Sequence, residues 1–369
     1  MAKLDKITFL DASLSRRDFL RHSIYMGALL AGGSTLAGLL AGCGTTAPTS
    51  PTSSGSSKSI EQIKIQLNWV KDVESAGMWA AMEKGYYKEE GLEVEVVPGG
   101  PQVDPTTVVA GGGYLLGRAA NTTNHVKARL QGVPVKSFAT TFQRIPSGLM
   151  SLAKNPVKSV KDAVGKRIGL QTGARGAWAV ILRKAGLTED QMQIVNVGVD
   201  PTPLATGQVD AYWCYVTNQP LALKAKGIDV YVLPAEEMGY VAYGDFFFTT
   251  EDILKNQKDL VIRWLRATIR GFEYNEKHPE EIARLTVEKY GAPGLKVEHQ
   301  IEVNKAQIPL MKSPLTEKKG LCWMESSVWQ QAVTDLLATG QIDKPISVDE
   351  LMTLEILDKV YNGKNYIPI

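Results

Sequence analysis

Residues 63–97, IKIQLNWVKDVESAGMWAAMEKGYYKEEGLEVEVV, decide the fold of this chain. Apolar residues alternate over 63–67 and again over 92–97, and both patterns predict β-strands. Between them, residues 76–83 carry Met and Ala at helical spacing, and Gly85 stops that helix. A strand, a helix and a second strand in this order predict a βαβ unit.

The same alternation continues through most of the chain. Further strands are predicted at 114–120, 135–141, 167–171, 193–197, 209–215 and 229–233. Helices are predicted at 104–110, 124–131, 177–184 and 218–226. From Asp252 onward the pattern is mostly amphipathic helix. We therefore predict an α/β fold with central, mostly parallel sheets, helices on both faces and a helical C-terminal tail.

The first 42 residues have the pattern of an export signal. Arg16 and Arg17 form a twin-arginine pair, a glycine-diluted apolar stretch follows at 24–40, and Leu-Ala-Gly precedes Cys43. Leu-Ala-Gly-Cys resembles a bacterial lipobox, in which the cysteine is lipidated and becomes the mature N-terminus. An ordinary basic region and a chance cysteine are the alternatives. We expect export by the twin-arginine route and a lipid anchor on Cys43 at the outer face of the cell membrane.

Residues 43–60 are rich in Ser, Thr and Pro and have almost no large apolar side chain, so we expect a flexible tether. After residue 42, 36 of the 41 Lys+Arg and 36 of the 39 Asp+Glu remain. This neutral balance argues against a nucleic-acid partner. Cys214 and Cys322 are read as free buried thiols, and the scattered histidines predict no metal. We expect no cofactor and a monomer.

Candidate binding residues follow the predicted strands, because solutes bind where the carboxyl ends of such strands meet. Aromatic rings would stack on a flat solute, although core packing is their alternative role. The Thr and Asn side chains alternatively cap a helix, and the Arg is alternatively a solvated turn residue. The candidates are Asn68, Trp69, Thr122, Thr123, Asn124, Arg175, Tyr212, Tyr215 and Tyr240.

Several motifs carry a resemblance to a known family. They are Gln-Leu-Asn-Trp at 66–69, Ala-Gly at 76–77, the run at 83–92, and shorter landmarks at 132–135, 165–169 and 207–211. The chain resembles the solute-binding proteins that serve ABC importers for thiamine pyrimidine precursors, riboflavin, sulfonates and nitrate. The resemblance implies a two-lobed type II periplasmic-binding fold. Lobe 1 would comprise 61–148 and 246–369, lobe 2 would comprise 149–245, and both would close on the solute.

The ligand is predicted from Asn68. The pyrimidine-binding branch usually has Asp before this tryptophan, and a carboxylate suits a basic aminopyrimidine. A carboxamide offers one donor and one acceptor, which suits a neutral imide edge such as that of a flavin. We therefore expect riboflavin, with a thiamine pyrimidine precursor as the alternative and a sulfonate or nitrate next. The expected partners are an ABC permease and its ATPase.

Two other classes of function stay open at this point. A eukaryotic branch of the superfamily makes the thiamine pyrimidine and carries a Cys-Cys-Cys-Phe-Cys run, which this sequence lacks. We therefore expect no enzyme and no catalytic residues. A sensor subunit, presenting its solute to a receptor, is the second alternative.

Overall fold

The computed structural model describes residues 60–367, which lie in one compact unit. The predicted export signal, Cys43 and the tether up to residue 59 lie outside the described residues. No helix within 60–367 combines the length and the apolar character needed to cross a membrane.

Two five-stranded sheets organise the fold. The strands of the first sheet are β1 (Glu61–Gln66), β2 (Leu92–Val97), β3 (Leu116–Ala119), β4 (Val135–Phe142) and β10 (Gly244–Thr250). The strands of the second are β5 (Ser147–Leu152), β6 (Arg167–Leu170), β7 (Gln193–Asn196), β8 (Ala211–Tyr215) and β9 (Val230–Pro234). Their spatial orders are β2-β1-β3-β10-β4 and β7-β6-β8-β5-β9.

Helices follow most strands and fill the C-terminal third. The helices before the last strand are α1 (Ala76–Glu83), α2 (Tyr86–Glu89), α3 (Pro105–Ala110), α4 (Thr122–Leu130), α5 (Arg175–Ala185), α6 (Thr202–Ala205) and α7 (Gln219–Lys224). The later ones are α8 (Glu251–Asn256), α9 (Lys258–Lys277), α10 (Pro279–Leu285), α11 (Val297–Gln307), α12 (Pro314–Lys319), α13 (Ser326–Ala338), α14 (Val348–Leu351) and α15 (Glu355–Tyr361).

Both sheets are mixed, but four of the five strands in each run in the same direction, in agreement with the predicted central, mostly parallel sheets. Strand β10 runs antiparallel to β3 and β4, and β5 runs antiparallel to β8 and β9. The other pairs, β1 with β2 and β3 and β6 with β7 and β8, are parallel as predicted. Strands β5 and β10 were not predicted from the sequence. Pro146 and Gly148 obscure the first, and β10 is an unalternating apolar run.

The missed strands are the ones that join the two sheets. The chain leaves the first sheet after β4, passes through 143–146 and enters the second sheet at β5. It returns to the first sheet through 235–243 and forms β10 there. The predicted lobe boundaries, at 148/149 and 245/246, lie within a few residues of these two crossings. The division into two lobes stays a prediction.

Close packing between α1 and α9 fixes the position of α1. A Cβ atom on Gly271 of α9 would lie 1.9 Å from the backbone oxygen of Gly77 in α1, so only glycine permits this approach. Trp79 of α1 is buried and donates from Nε1 to the backbone oxygen of Asp72 at 2.7 Å. The turn before α1 is therefore anchored to the core, and this turn supplies part of the site.

Candidate functional site

A cavity of about 310 Å³ lies at the carboxyl ends of strands from both sheets. Its first wall consists of Asn68, Trp69, Glu74, Ala120, Asn121 and Thr123. Its second wall consists of Ile145, Ser147, Gln171, Gly173, Ala174, Ala177, Val199, Trp213, Cys214, Tyr215, Asn218, Gln219 and Tyr240. This volume falls at the lower end of the range for small-molecule sites, and both walls offer aromatic rings and neutral polar groups.

Five of the nine predicted site residues line this cavity. They are Asn68, Trp69, Thr123, Tyr215 and Tyr240. The choice of residues near strand ends thus selected five side chains that lie around one cavity. Their contact with a solute stays a prediction. Trp69 and Tyr240 are partly exposed, and both belong to the cavity lining.

The other four predicted residues lie outside the cavity lining. Thr122 is buried and donates to the backbone oxygen of Tyr243 at 3.3 Å. Asn124 belongs to the first turn of α4, and Asn121 caps that turn through its side-chain oxygen. The cap of this helix is therefore Asn121, which precedes the three residues for which capping was the alternative role. Ligand contact at 122 and 124 stays a prediction.

Arg175 and Tyr212 are turned to other partners. Arg175 is an exposed residue whose guanidinium pairs with Glu189 at 2.7 Å, as the solvated alternative supposed. Tyr212 is buried and donates from its hydroxyl to the backbone oxygen of Gly198 at 2.6 Å. Side chains alternate along β8, so the neighbour Trp213 reaches the cavity instead.

Several residues of the lining were not among the candidates from the sequence, chiefly Glu74, Asn121, Gln171, Trp213, Asn218 and Gln219. Asn121 follows a predicted strand, Gln171 ends one and Asn218 begins a predicted helix, so the search at strand ends could have included them. Trp213 lies inside a predicted strand, and its ring also packs in the core, at 6.5 Å from the ring of Trp178. Glu74 had no signal in the local pattern.

The amide of Asn68 has a fixed orientation at the base of the cavity. Its Nδ2 donates to Oδ1 of Asp245 at 3.0 Å, and its Oδ1 accepts from Nε of Arg118 at 3.1 Å. A carboxamide between a carboxylate and a guanidinium has only one sensible orientation. One N–H and one lone pair of Asn68 remain for a solute.

Arg118 is the centre of a buried ionic network under the cavity. Its Nη2 donates to Oε2 of Glu74 at 2.8 Å and to Oδ2 of Asp245 at 3.1 Å. Its Nη1 donates to Oγ of Ser75 at 3.0 Å. Burial opposes the charge of Arg118, but the nearby carboxylates outweigh it and raise the pKa of the guanidinium. Arg118 is therefore a permanent cation.

The carboxyl groups of this network outnumber the cation. Burial is the main cause that raises the pKa of Glu74 well above its ordinary value, and Asp72 and Asp245 raise it further. Burial also raises the pKa of Asp72 to about 6. Asp72 caps the turn that carries Glu74, since its Oδ1 accepts from the Glu74 N–H at 2.9 Å. This cap sets the position of the Glu74 side chain.

Asp245 connects this network to the second sheet. It is the second residue of β10 and has a φ of 53°, a left-handed conformation that is uncommon for a residue other than glycine. The hydroxyl of Tyr215, in β8, donates to its Oδ2 at 3.0 Å. Burial, with Asp245 and Glu74 nearby, raises the pKa of Tyr215 well above its ordinary value, so the phenol stays neutral.

The second wall is held by backbone contacts of its amide side chains. Gln171 donates to the backbone oxygen of Trp213 at 3.1 Å, and Gln219 accepts from the N–H of Tyr215 at 2.8 Å. Burial raises the pKa of Tyr240 to about 12, so this phenol is also neutral. The arrangement provides stacking faces and neutral hydrogen-bonding groups around a single carboxyl, that of Glu74.

Comparisons with known proteins agree with this architecture. The chain is 25% identical to the riboflavin-binding protein RibY of Chloroflexus aurantiacus over 347 residues, covering 86% of this chain and 94% of that one. It is 21% identical to the formylaminopyrimidine-binding protein of Halalkalibacterium halodurans, covering 79% and 90%. Pyrimidine phosphate synthases also occur among its relatives. The periplasmic aliphatic sulphonate-binding protein SsuA of Escherichia coli superposes with a TM-score of 0.61 at 16% identity, covering 79% and 91%.

Two mixed sheets, joined by crossing strands around one cavity, define a protein with the periplasmic-binding fold. The chain belongs to the NMT1/THI5-like family, whose model matches residues 72–282. This match confirms the family that the sequence motifs indicated.

Proposed function

We propose that this protein is the solute-binding subunit of an ABC importer and that riboflavin is its solute. The observation that carries the proposal is the cavity itself, which combines partly exposed aromatic rings with fixed amides. A flat heterocycle gains from both, because rings stack on aromatic faces and the carbonyl oxygens of an imide edge accept hydrogen bonds from amide N–H groups. The similarity to a riboflavin-binding protein over most of both chains supports the choice of ligand.

In this proposal the protein captures the solute without changing it. Trp69 and Tyr240 cover the faces of the ring, while Asn68 and Thr123 bind its polar edge. The crossings at 143–146 and 235–243 act as the hinge between the proposed lobes, 61–148 with 246–369 and 149–245. Closure of the lobes then forms the surface that the permease recognises.

A thiamine pyrimidine precursor is the second candidate solute. The carboxyl of Glu74 in the lining favours it, because an aminopyrimidine offers N–H donors. The formylaminopyrimidine-binding relative supports the same candidate. A sulfonate or nitrate ranks lower, since the named cavity lining contains no Lys, Arg or His. A sensor role and a pyrimidine synthase activity rank below all of these.

The proposal includes the location of the protein. Export through the twin-arginine signal and lipidation of Cys43 would place a monomer at the outer face of the membrane, with residues 43–60 as a tether. The permease and its ATPase would lie in that membrane.

Purification of the exported full chain tests the ligand. We expect a protein that co-purifies with a yellow chromophore absorbing at flavin wavelengths. After partial unfolding and dialysis to remove the chromophore, calorimetry should show heat on addition of riboflavin. Heat with a formylaminopyrimidine and none with riboflavin would transfer the function to the second candidate. Turnover of either compound would refute a pure binding role.

A further inference from the structure

We propose that Glu74 determines the chemical class of the solute. Its carboxyl group accepts a hydrogen bond through Oε1 from a ring N–H or amino group of the solute, and the carboxyl-rich network around it excludes anions from the cavity. This inference deepens the proposed function and rests on it. It concerns a residue for which the local sequence gave no signal.

The geometry of Glu74 is that of a buried acceptor aimed at the cavity. The residue is 8% exposed, and it lines the cavity. Its Oε2 is occupied by Nη2 of Arg118 at 2.8 Å. Within residues 60–367 no hydrogen bond joins its Oε1 to another group. Because Glu74 lines the cavity and its Oε1 makes no hydrogen bond within the described part of the chain, this oxygen is available to a hydrogen-bond donor of the solute.

Arg118 cannot serve an anionic solute. Its side chain is 1% exposed, and four of its five N–H groups are used by Asn68, Ser75, Glu74 and Asp245. The guanidinium therefore neutralises the network from below and presents no free edge to the cavity. No other cation belongs to the lining in the described part of the chain.

The remaining charge near the cavity is negative. Asp72 and Asp245 lie behind Glu74 and interact with it, and Arg118 is the single cation among the three carboxyls. The same burial and carboxyls that raise the pKa of Glu74 would oppose a sulfonate, nitrate or phosphate, because an anion is repelled strongly in a site with low dielectric. Neutral or cationic heterocycles avoid this repulsion, and their N–H donors can bind the carboxyl oxygen of Glu74. The imide N–H of riboflavin and the amine of a pyrimidine precursor are both such donors.

Glu74→Gln tests the inference in the full chain, because it keeps the shape and replaces one acceptor oxygen by a donor. We expect the affinity for riboflavin to fall on the order of 10- to 100-fold, as for a buried hydrogen-bond donor left without its acceptor. Glu74→Asp, which keeps the carboxylate, should retain more affinity than Glu74→Gln. Glu189→Gln removes an exposed carboxylate outside the cavity and serves as the matched control, with unchanged affinity.

A second ligand sharpens the test. Riboflavin methylated at the imide nitrogen lacks the proposed donor, so it should bind the unmodified protein less tightly than riboflavin does. In Glu74→Gln the two ligands should differ little, because the acceptor is gone. Thermal unfolding without ligand shows whether each variant is folded, and methanesulfonate and nitrate should give no heat with the unmodified protein.

The outcomes separate this inference from the proposed function. Equal riboflavin affinity in Glu74→Gln and the unmodified protein would overturn the role of Glu74 while riboflavin binding stands. A loss of the same size in Glu74→Gln for both flavins would also overturn it. Tight binding of methanesulfonate or nitrate, with none of riboflavin, would overturn both.

Discussion

Replacing Trp69 by alanine removes an aromatic face of the cavity while leaving the core in place. Trp69 is only partly buried, and its backbone oxygen accepts from the N–H of Gly99 at 2.8 Å, a bond that the substitution keeps. Trp213 also lines the cavity, but it is 7% exposed and packs against Trp178. The two tryptophans thus form a matched pair: the partly exposed Trp69 is the proposed stacking face, and the buried Trp213 supports the second sheet.

The expected magnitudes differ for these two substitutions. Stacking of one heterocycle on one aromatic side chain contributes about 1–3 kcal/mol, so Trp69→Ala should raise the Kd for riboflavin by roughly 5- to 150-fold. Its free energy of unfolding should change little, because the side chain is partly solvated. Trp213→Ala should lower the free energy of unfolding by about 3–5 kcal/mol, as for other buried tryptophans.

Calorimetric titration gives the Kd, and urea unfolding of the ligand-free protein gives the stability. A Kd in Trp69→Ala within twofold of the unmodified protein would remove Trp69 from the site. A large stability loss in Trp69→Ala, matching that of Trp213→Ala, would contradict the assignment of Trp69 as a solvated ligand face.

Two further predictions concern the buried network. Arg118→Met leaves Asp72, Glu74 and Asp245 without their cation, so we expect the free energy of unfolding at pH 7 to fall by about 3–5 kcal/mol in urea titration; a loss below about 1 kcal/mol would show that the network adds little. Burial raises the pKa of Asp72 from its ordinary value of 3.8 to about 6 in the folded protein. Between these two pH values the folded protein therefore holds a proton on Asp72 that the unfolded chain has released. Relative to Asp72→Asn, stability should therefore fall by up to about 3 kcal/mol as pH rises from about 4 to 6, and parallel pH profiles would refute this.

Local sequence patterns predicted the parallel half of the fold well. Alternating residues at 63–67 and 92–97 and the helix between them lie in β1, β2 and α1 as expected. The pattern failed at β5 and β10 because a central antiparallel strand is buried on both faces. Phe246, Phe247 and Phe248 show this, since all three are fully buried and leave no alternation to read.

Only the part of the site that lies at the ends of predicted strands could be predicted from the sequence. Asn68, Trp69 and Tyr215 follow or end strands, and all of them reach the cavity. Arg118 was an unremarked residue inside a predicted strand, and its partner Asp245 lies 127 positions away. Ion pairs of this kind depend on which strands become neighbours, here β3 and β10. A local pattern holds no information about that neighbourhood.

Asp245 gives the base of the cavity a mechanical link to the second sheet. One carboxylate sets the direction of the Asn68 amide with Oδ1 and binds the phenol of Tyr215 with Oδ2. It does so from the second residue of β10, close to the point where the chain re-enters the first sheet. A solute bound to Asn68, as proposed, would therefore be connected to Tyr215 of the opposite wall through two hydrogen bonds to one carboxylate.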